Sequence, residues 1–276
     1  MNIQTTCYNI INSRIPKELS GYRMALLSDL HNGEFGEKDT ELVSIVRDEA
    51  PDVILVPGDA VNKNSGDRSP KGGYSHVIPL FARLSKIAPI LYANGNHEAR
   101  LARRNKGAGH YLAFQKILKK LGVTILNNRS LTVRNGKLRF VGLDLPLEFY
   151  QNRHERVDAA MLAGLLGEPE AGTYTILLAH TPEFFRAYLD WGADLVVSGH
   201  VHGGMVRLPI YGGLLSPHRR LFPGFDYGSY REDGKEMIVS AGLSAQSFPP
   251  RILNPLEVVM LTLYHSAEDV PDATEC

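Results

Sequence analysis

The 276-residue sequence predicts an α/β fold. Two observations carry that prediction. Short, largely apolar runs (YRMALL, VILV, PILY, YTILL, DLVV) have the length and composition of buried strands. Between them, apolar residues recur every three or four positions, the period of a helix with one face on a core. A third observation concerns function. Carboxylates, imidazoles and an amide stand where most of these runs end.

In chain order, residues 22–27 read as the first strand. Residues 38–49 follow as a helix, with Leu42, Ile45 and Val46 on one face. Residues 53–56 are a strand, 74–86 a helix with Ile78, Phe81 and Leu84 inward, and 89–92 a strand. Residues 111–121 form a helix whose apolar set is Leu112, Phe114, Ile117 and Leu118. The second half is richer in sheet. Residues 123–126, 131–133 and 138–142 read as strands, and an Asn135-Gly136 turn joins the last two as a hairpin. Then come a helix at 157–166, a strand at 174–178, a short helix at 182–190 opened by Pro182, and a strand at 194–197. Residues 205–208, 237–240 and 257–264 read as closing strands, and 63–73 and 209–234 as loops. No repeat, low-complexity segment or linker interrupts the pattern, so residues 1–276 are expected to form a single domain.

Composition sets outer bounds. The chain is 43% hydrophobic and 22% charged, enough to bury a sizeable core. Thirty basic residues balance thirty acidic ones. Zero net charge gives no global steering toward nucleic acid, and no nucleic-acid partner is expected. Cys7 and Cys276 are the only cysteines, which predicts no disulfide framework and a reducing compartment. The first residues lack a basic segment followed by a long apolar one, and no run of about 18 apolar residues could span a bilayer. The expected location is cytoplasmic, at most peripheral to the inner face of the membrane.

The functional signal lies in five islands: Ser28-Asp29-Leu30-His31, Gly58-Asp59, Gly95-Asn96-His97-Glu98, Ala179-His180-Thr181 and Gly199-His200-Val201-His202. Ligands of α/β sheets collect at the carboxyl ends of strands. Asp29 and His31 are two residues apart, so on an extended strand end both side chains point the same way and can hold one ion. His200 and His202 repeat that spacing. Glycines beside the islands permit sharp exits and close backbone approach. Each piece alone has a plainer reading. Asp-x-His is more often a surface turn, Gly-Asp a cap, and a lone His180 a satisfied core histidine. Five such islands in one order are not explained that way.

The series DLH, GD, GNHE, AH and GHVHGG resembles the calcineurin-like metallophosphoesterase superfamily, and the tail resembles its small, single-domain bacterial phosphodiesterase-like branch. The motifs run from Asp29 to His202, and closing strands to about residue 264 are compatible with the same domain. The resemblance implies a four-layer α-β-β-α sandwich with a dinuclear metal site at the strand ends. It implies that Asp29, His31 and His202 hold one ion, that Asn96, His180 and His200 hold the other, and that Asp59 bridges them. It makes His97 not a ligand but either the proton donor to the leaving group or a hold on the phosphoryl oxygens. The implied cofactors are two divalent metal ions, Mn²⁺ first, with Fe, Zn²⁺ and Co²⁺ also suited to mixed N/O ligands. The implied chemistry is hydrolysis of a phosphodiester or diphosphate by a hydroxide shared between the ions, in a lipid- or nucleotide-linked substrate.

One departure stands out. Many members carry a carboxylate three residues after the bridging aspartate, where this chain has Asn62. Asn62 is either an orienting partner for His97 or a helix cap. Further candidates for substrate contact are Arg100 after His97, and His218, Arg219 and Arg220 in a basic and aromatic loop that also holds Leu221, Phe222 and Phe225. That loop suits an amphipathic phosphoester or contact with a membrane surface. Two other readings compete: a nuclease or cyclic-nucleotide phosphodiesterase, and a noncatalytic scaffold on the same fold.

Overall fold

The computed structural model describes residues 2–62, 74–103, 107–151, 155–208, 212–214, 221–244 and 250–271. One six-stranded sheet takes the order β1-β14-β2-β3-β4-β5. Its strands are β1 (Ile3–Ile11), β2 (Tyr22–Leu26), β3 (Val53–Val56), β4 (Ile90–Tyr92), β5 (Thr124–Ile125) and β14 (Leu256–Tyr264). The other takes the order β12-β13-β9-β8-β7-β6. It comprises β6 (Arg129–Val133), β7 (Leu138–Leu143), β8 (Tyr174–Ala179), β9 (Leu195–Ser198), β12 (Gly228–Glu232) and β13 (Lys235–Val239). Within each sheet the central crossovers are parallel: β2, β3, β4 and β5 in the first, and β7, β8, β9 and β13 in the second.

Strands with both faces buried explain the continuous apolar runs. Alternate residues of one strand serve different cores. Met24 and Leu26 face the second sheet, packing with Leu55, Phe140, Ile176, Val197 and Val259. Ala25 and Leu27 face the other way, toward α1 (Thr40–Asp48), α2 (Val77–Leu84) and α4 (Gly107–Lys120) through Leu42, Phe81 and Phe114. A third core joins Val141, Leu177 and Val196 to Leu162 of α6 (Ala159–Leu166) and Tyr188 of α7 (Phe185–Trp191). Helix, sheet, sheet and helix are thus four stacked layers, and the expected fold is the one observed. Among the described residues no helix is long and apolar enough to cross a membrane.

Several details differ from the sequence reading. In α4 the inward face is Tyr111, Phe114 and Leu118, while Leu112 and Ile117 are 56% and 37% exposed. In α1 Val43, rather than Ile45, is buried beside Leu42 and Val46. In α2 Val77 and Leu80 are buried with Phe81 and Leu84, and Ile78 is only half-buried. Apolar neighbours one position apart look equivalent by period, and packing chooses between them. β1 carries no strand signal in the sequence, because IQTTCYNII lacks an apolar run; its half-buried edge position tolerates that. β12 falls inside the expected 209–234 loop; it is a polar edge strand antiparallel to β13. Residues 205–208 reduce to β10 (Arg207–Leu208), paired with β11 (Gly212–Gly213). The expected loop at 63–73 lies outside the described residues.

Candidate metal centre

The islands converge because the chain leaves its strands in an unusual conformation. Asp29, His31, Asp59, His200 and His202 have φ of 55°, 47°, 51°, 71° and 52°. Left-handed backbone is uncommon away from glycine and clusters at functional sites. The sequence argument placed Asp29 beside His31 on an extended strand end. The structure replaces that geometry with tight turns, because both residues lie beyond Leu26, where β2 ends. Backbone bonds then lock island to island. His31 N donates to Asp59 O (2.9 Å), Asn32 N to Ala60 O (2.9 Å), and Gly199 N to His180 O (3.0 Å). His200 N donates to Asp29 Oδ2 at 3.1 Å.

Two carboxylates organise the side chains. Asp29 Oδ1 lies 3.4 Å from His202 Nε2, 3.7 Å from His31 Nε2 and 3.8 Å from His180 Nε2. Asp59 Oδ2 lies 3.2 Å from His180 Nε2, 3.8 Å from His31 Nε2 and 3.9 Å from His97 Nε2. Three sets have ligand atoms mutually within 4.8 Å: Asp29, His31 and His202; His31, Asp59 and His97; Asp59, His180 and His200. The expected residues are therefore brought together, and the structure also puts His97 within ligand reach of His31 and Asp59. His31 Nε2, Asn96 Oδ1 and both ring nitrogens of His180 are buried without a hydrogen-bond partner. Buried polar atoms are nearly always partnered. Imidazole nitrogens and an amide oxygen left this way beside two carboxylates are the donor set of a divalent N/O site, so the residues fit such ions.

The electrostatics agree. Burial works to raise the Asp59 carboxyl, but His180, His97 and His31 outweigh it and hold it well below the usual range. Asp29 is held down against its own burial by His202, His31 and His180. Burial opposes the charged form of His180, yet Asp59 and Asp29 lift it to about 9. His97 goes the other way, to about 4, because burial and the neighbouring His31, His180 and Arg100 charges outweigh Asp59. Arg100, half-buried one turn into α3 (Asn96–Arg103), thus lies close enough to act on His97. Asn62 is half-buried just past Val61. His218, Arg219 and Arg220 lie outside the described residues.

Sequence reasoning missed the residue that pins the site together. Glu98, fully buried, accepts from Gly95 N (2.9 Å), Asp59 N (3.0 Å) and Val61 N (3.2 Å). Burial and the Asp59 charge push it up to about 7. Its bond to Gly95 N is half of a capping box at the start of α3, and an acid three residues past a cap was the available signal. Asp59 Oδ1 caps the same helix by accepting from His97 N at 2.8 Å. Gly95 is obligatory, since a Cβ there would sit 2.7 Å from Asp59 N. Other unforeseen neighbours are Tyr150, whose ring centroid is 5.5 Å from that of His200, and Arg251, whose Nη2 is 3.5 Å from His202 Nδ1 and donates to Ala241 O at 2.6 Å. No spacing rule marked them.

The sequence profile described as calcineurin-like phosphoesterase matches residues 22–204. An uncharacterized metallophosphoesterase of Bacillus subtilis (strain 168), YkuE, is 27% identical over 269 residues, covering 95% of this chain and 85% of that protein. An uncharacterized metallophosphoesterase of Helicobacter pylori (strain J99) is 30% identical over 254 residues, covering 91% of this chain and 61% of its own length. The phosphodiesterase YaeI of Escherichia coli (strain K12) is 27% identical over 202 residues, covering 71% of this chain and 66% of that protein. The profile match takes in all five islands and the strands that carry them, and by it the chain belongs to the calcineurin-like phosphoesterase family.

Proposed function

We propose that this chain, acting as one domain, is a dinuclear metal-dependent hydrolase of a phosphodiester or diphosphate. One observation carries the reading: the ligand sets overlap at Asp59 and His31, so two neighbouring ions would share a carboxylate. Asp29, His31 and His202 would hold one ion, and Asn96, His180 and His200 the other, with Asp59 common to both. Mn²⁺ is the first choice for this mixed set. Bound there, such ions supply Lewis acidity toward a phosphate and a nucleophile from water at neutral pH.

The chain's own contributions follow from position. Asp59 and Asp29 stay ionised and keep the surrounding imidazoles aligned. His97 is 18% exposed, more than His31, His180 or His202, so a substrate can reach it. Burial keeps its ring neutral in the free protein. An arriving phosphate brings negative charge that favours the imidazolium, which places a proton at His97 where an alkoxide departs. Exposed Leu208, Leu221, Phe222, Ile252 and Leu253 lie near the His202 turn, tied to it by Ile252 N donating to Met205 O and Phe222 N to Leu214 O. This apolar rim supports an amphipathic substrate or a peripheral position at a membrane. Phe225 does not belong to it, because it packs edge-on against Phe185 and Tyr230. A scaffold would have no use for strained, buried donors, and a chain of zero net charge is a poor fit to a nuclease.

The test is metal removal. A chelator should abolish hydrolysis of bis(4-nitrophenyl) phosphate, and Mn²⁺ should restore it. Undiminished turnover in a verified metal-free sample would refute the proposal.

A further inference from the structure

The chain that leaves β7 brings to the metal centre an aromatic residue that none of the five islands contains. Leu143 pairs with Ala179 in the β7–β8 ladder, so β7 ends level with the start of the His180 island. The segment that follows, α5 (Glu148–Gln151), is pinned from two sides. Glu148 meets Arg103 of α3 at 2.9 Å, and the Phe149 ring packs edge-on against Phe184 at 6.4 Å. Backbone bonds from Phe149 N to Pro146 O and from Tyr150 N to Leu147 O, each 3.1 Å, fix the turn. Tyr150 is thereby held with its ring centroid 5.5 Å from that of His200 and 6.1 Å from that of His180, tilted by 57° and 53°. Both histidines share a ligand set with Asp59.

The tyrosines around it are already engaged. Tyr188 donates to Thr181 O at 2.9 Å, and Tyr111 donates to Asn94. Tyr150 is half-buried, and among the described residues its hydroxyl has no hydrogen-bond partner. Burial, the Tyr188 phenol and the Asp144, Asp59 and Glu98 carboxylates hold that hydroxyl protonated, well above the usual phenol range. Asp59 and Glu98 lie at the heart of the site, and charges act strongly only at short range, so the oxygen stands on the inner side of the ring. The result is a neutral donor set among carboxylates. Phosphate oxygens only accept hydrogen bonds, and bonds to charged acceptors are the stronger ones. Packing against Phe149 and the two imidazoles needs the ring alone, and a phenylalanine would supply it. The oxygen is the part that packing does not use.

We propose that the Tyr150 hydroxyl donates a hydrogen bond to a phosphoryl oxygen of the substrate, on the His180 and His200 side of the metal centre. The assignment rests on the reading of this chain as a metal-dependent phosphoesterase. Tyr150→Phe removes the hydroxyl and keeps the ring, and Tyr150→Leu removes both. Tyr150→Phe should retain wild-type Mn²⁺ content by elemental analysis. Its kcat/KM on bis(4-nitrophenyl) phosphate should fall about tenfold or more. Calorimetry on the Mn²⁺-loaded protein should show methylphosphonate, which cannot be hydrolysed, binding about tenfold more weakly than to wild type. The loss in turnover should be equal for nitrophenyl and alkyl leaving groups, since the oxygen held is not the one that departs. A loss confined to alkyl leaving groups would place the hydroxyl at the leaving group and overturn the assignment. Wild-type turnover and methylphosphonate binding in Tyr150→Phe, with losses only in Tyr150→Leu, would reduce the residue to packing behind His200 and also overturn it. The two readings fail separately. A wild-type chain that takes up no Mn²⁺ refutes the phosphoesterase, whereas an active wild type matched by Tyr150→Phe refutes only the role of the hydroxyl.

Discussion

Asp59 carries two loads with its two oxygens: one caps α3 through His97 N, and the other stands among three imidazoles. His97 is therefore positioned by its backbone, and exchange of its side chain should not move Asn96. His97→Ala should keep its metal content by elemental analysis, while turnover of an alkyl phosphodiester falls by about 10²–10⁴-fold. The fall should be smaller for a nitrophenolate leaving group, which needs no proton. A variant that lost metal would make His97 a ligand, in line with its reach to His31 and Asp59. Beneath this island Asn94 donates to Asp144 at 3.0 Å, and Tyr111 of α4 donates to Asn94. Burial pushes Asp144 up to about 6, against the Asn94 bond that lowers it. Native Asp144 thus holds its proton longer than the unfolded chain does. Its contribution is fully present below the model-peptide value near 4 and is lost as pH rises toward 6. In chelated protein, the stability of wild type relative to Asp144→Asn should fall by about 2–3 kcal/mol over that interval, measured by urea melts; a flat difference would show that Asp144 ionises freely. The residues that converge at the candidate site were legible because their chemistry is concentrated in short motifs. Glu98, Tyr150 and Arg251 were not, since each acts through a fold-level contact that leaves no local trace.

At the level of the element, α3 shows how the site is mounted on the scaffold. Its first turn is the third island. Glu98 reaches back to Gly95, and the carboxylates of Asp59 and Glu98 meet the exposed amides of the helix start. Negative charge is stabilised there by the helix dipole as well as by hydrogen bonds. This arrangement requires the Asp59 backbone to pass against Gly95. Gly95→Ala should destabilise the chain by about 1–3 kcal/mol and lower metal uptake with it, read together by thermal melts and elemental analysis; a stable variant with full metal would mean that the close approach is dispensable. The sequence reading assigns no element to this stretch, because NHEARLAR has too few apolar residues to display a helical stripe. Parallel strands with both faces buried were legible by contrast, and β3 was placed to the residue. Edge strands β1 and β12 were not, because solvent on one side relaxes the demand for apolar residues.

For the whole molecule, charge is balanced and the exposed large apolar residues are unevenly spread. Leu208, Leu221, Phe222, Ile252 and Leu253 share the end that carries the metal centre, while Ile11, Leu112 and Ile117 lie elsewhere. Replacing Leu221 and Phe222 together by Ser should weaken sedimentation with phospholipid vesicles and leave bis(4-nitrophenyl) phosphate turnover intact; equal losses in both assays would reduce the rim to a folding element. The topology has a consequence for how the chain is made. β14 lies between β1 and β2, and Leu243 N donates to Ser28 O beside the first island. The strand that completes the first sheet thus leaves the ribosome long after β1 and β2, which until then wait without the strand between them. At roughly 5–20 residues per second, that wait is more than ten seconds, during which two unpaired strand edges are open to chaperones or to neighbouring nascent chains. Ribosome-arrested chains should stay protease-sensitive until residue 264 has cleared the exit tunnel, and release of that last strand should set the moment at which the protein first becomes competent to take up metal.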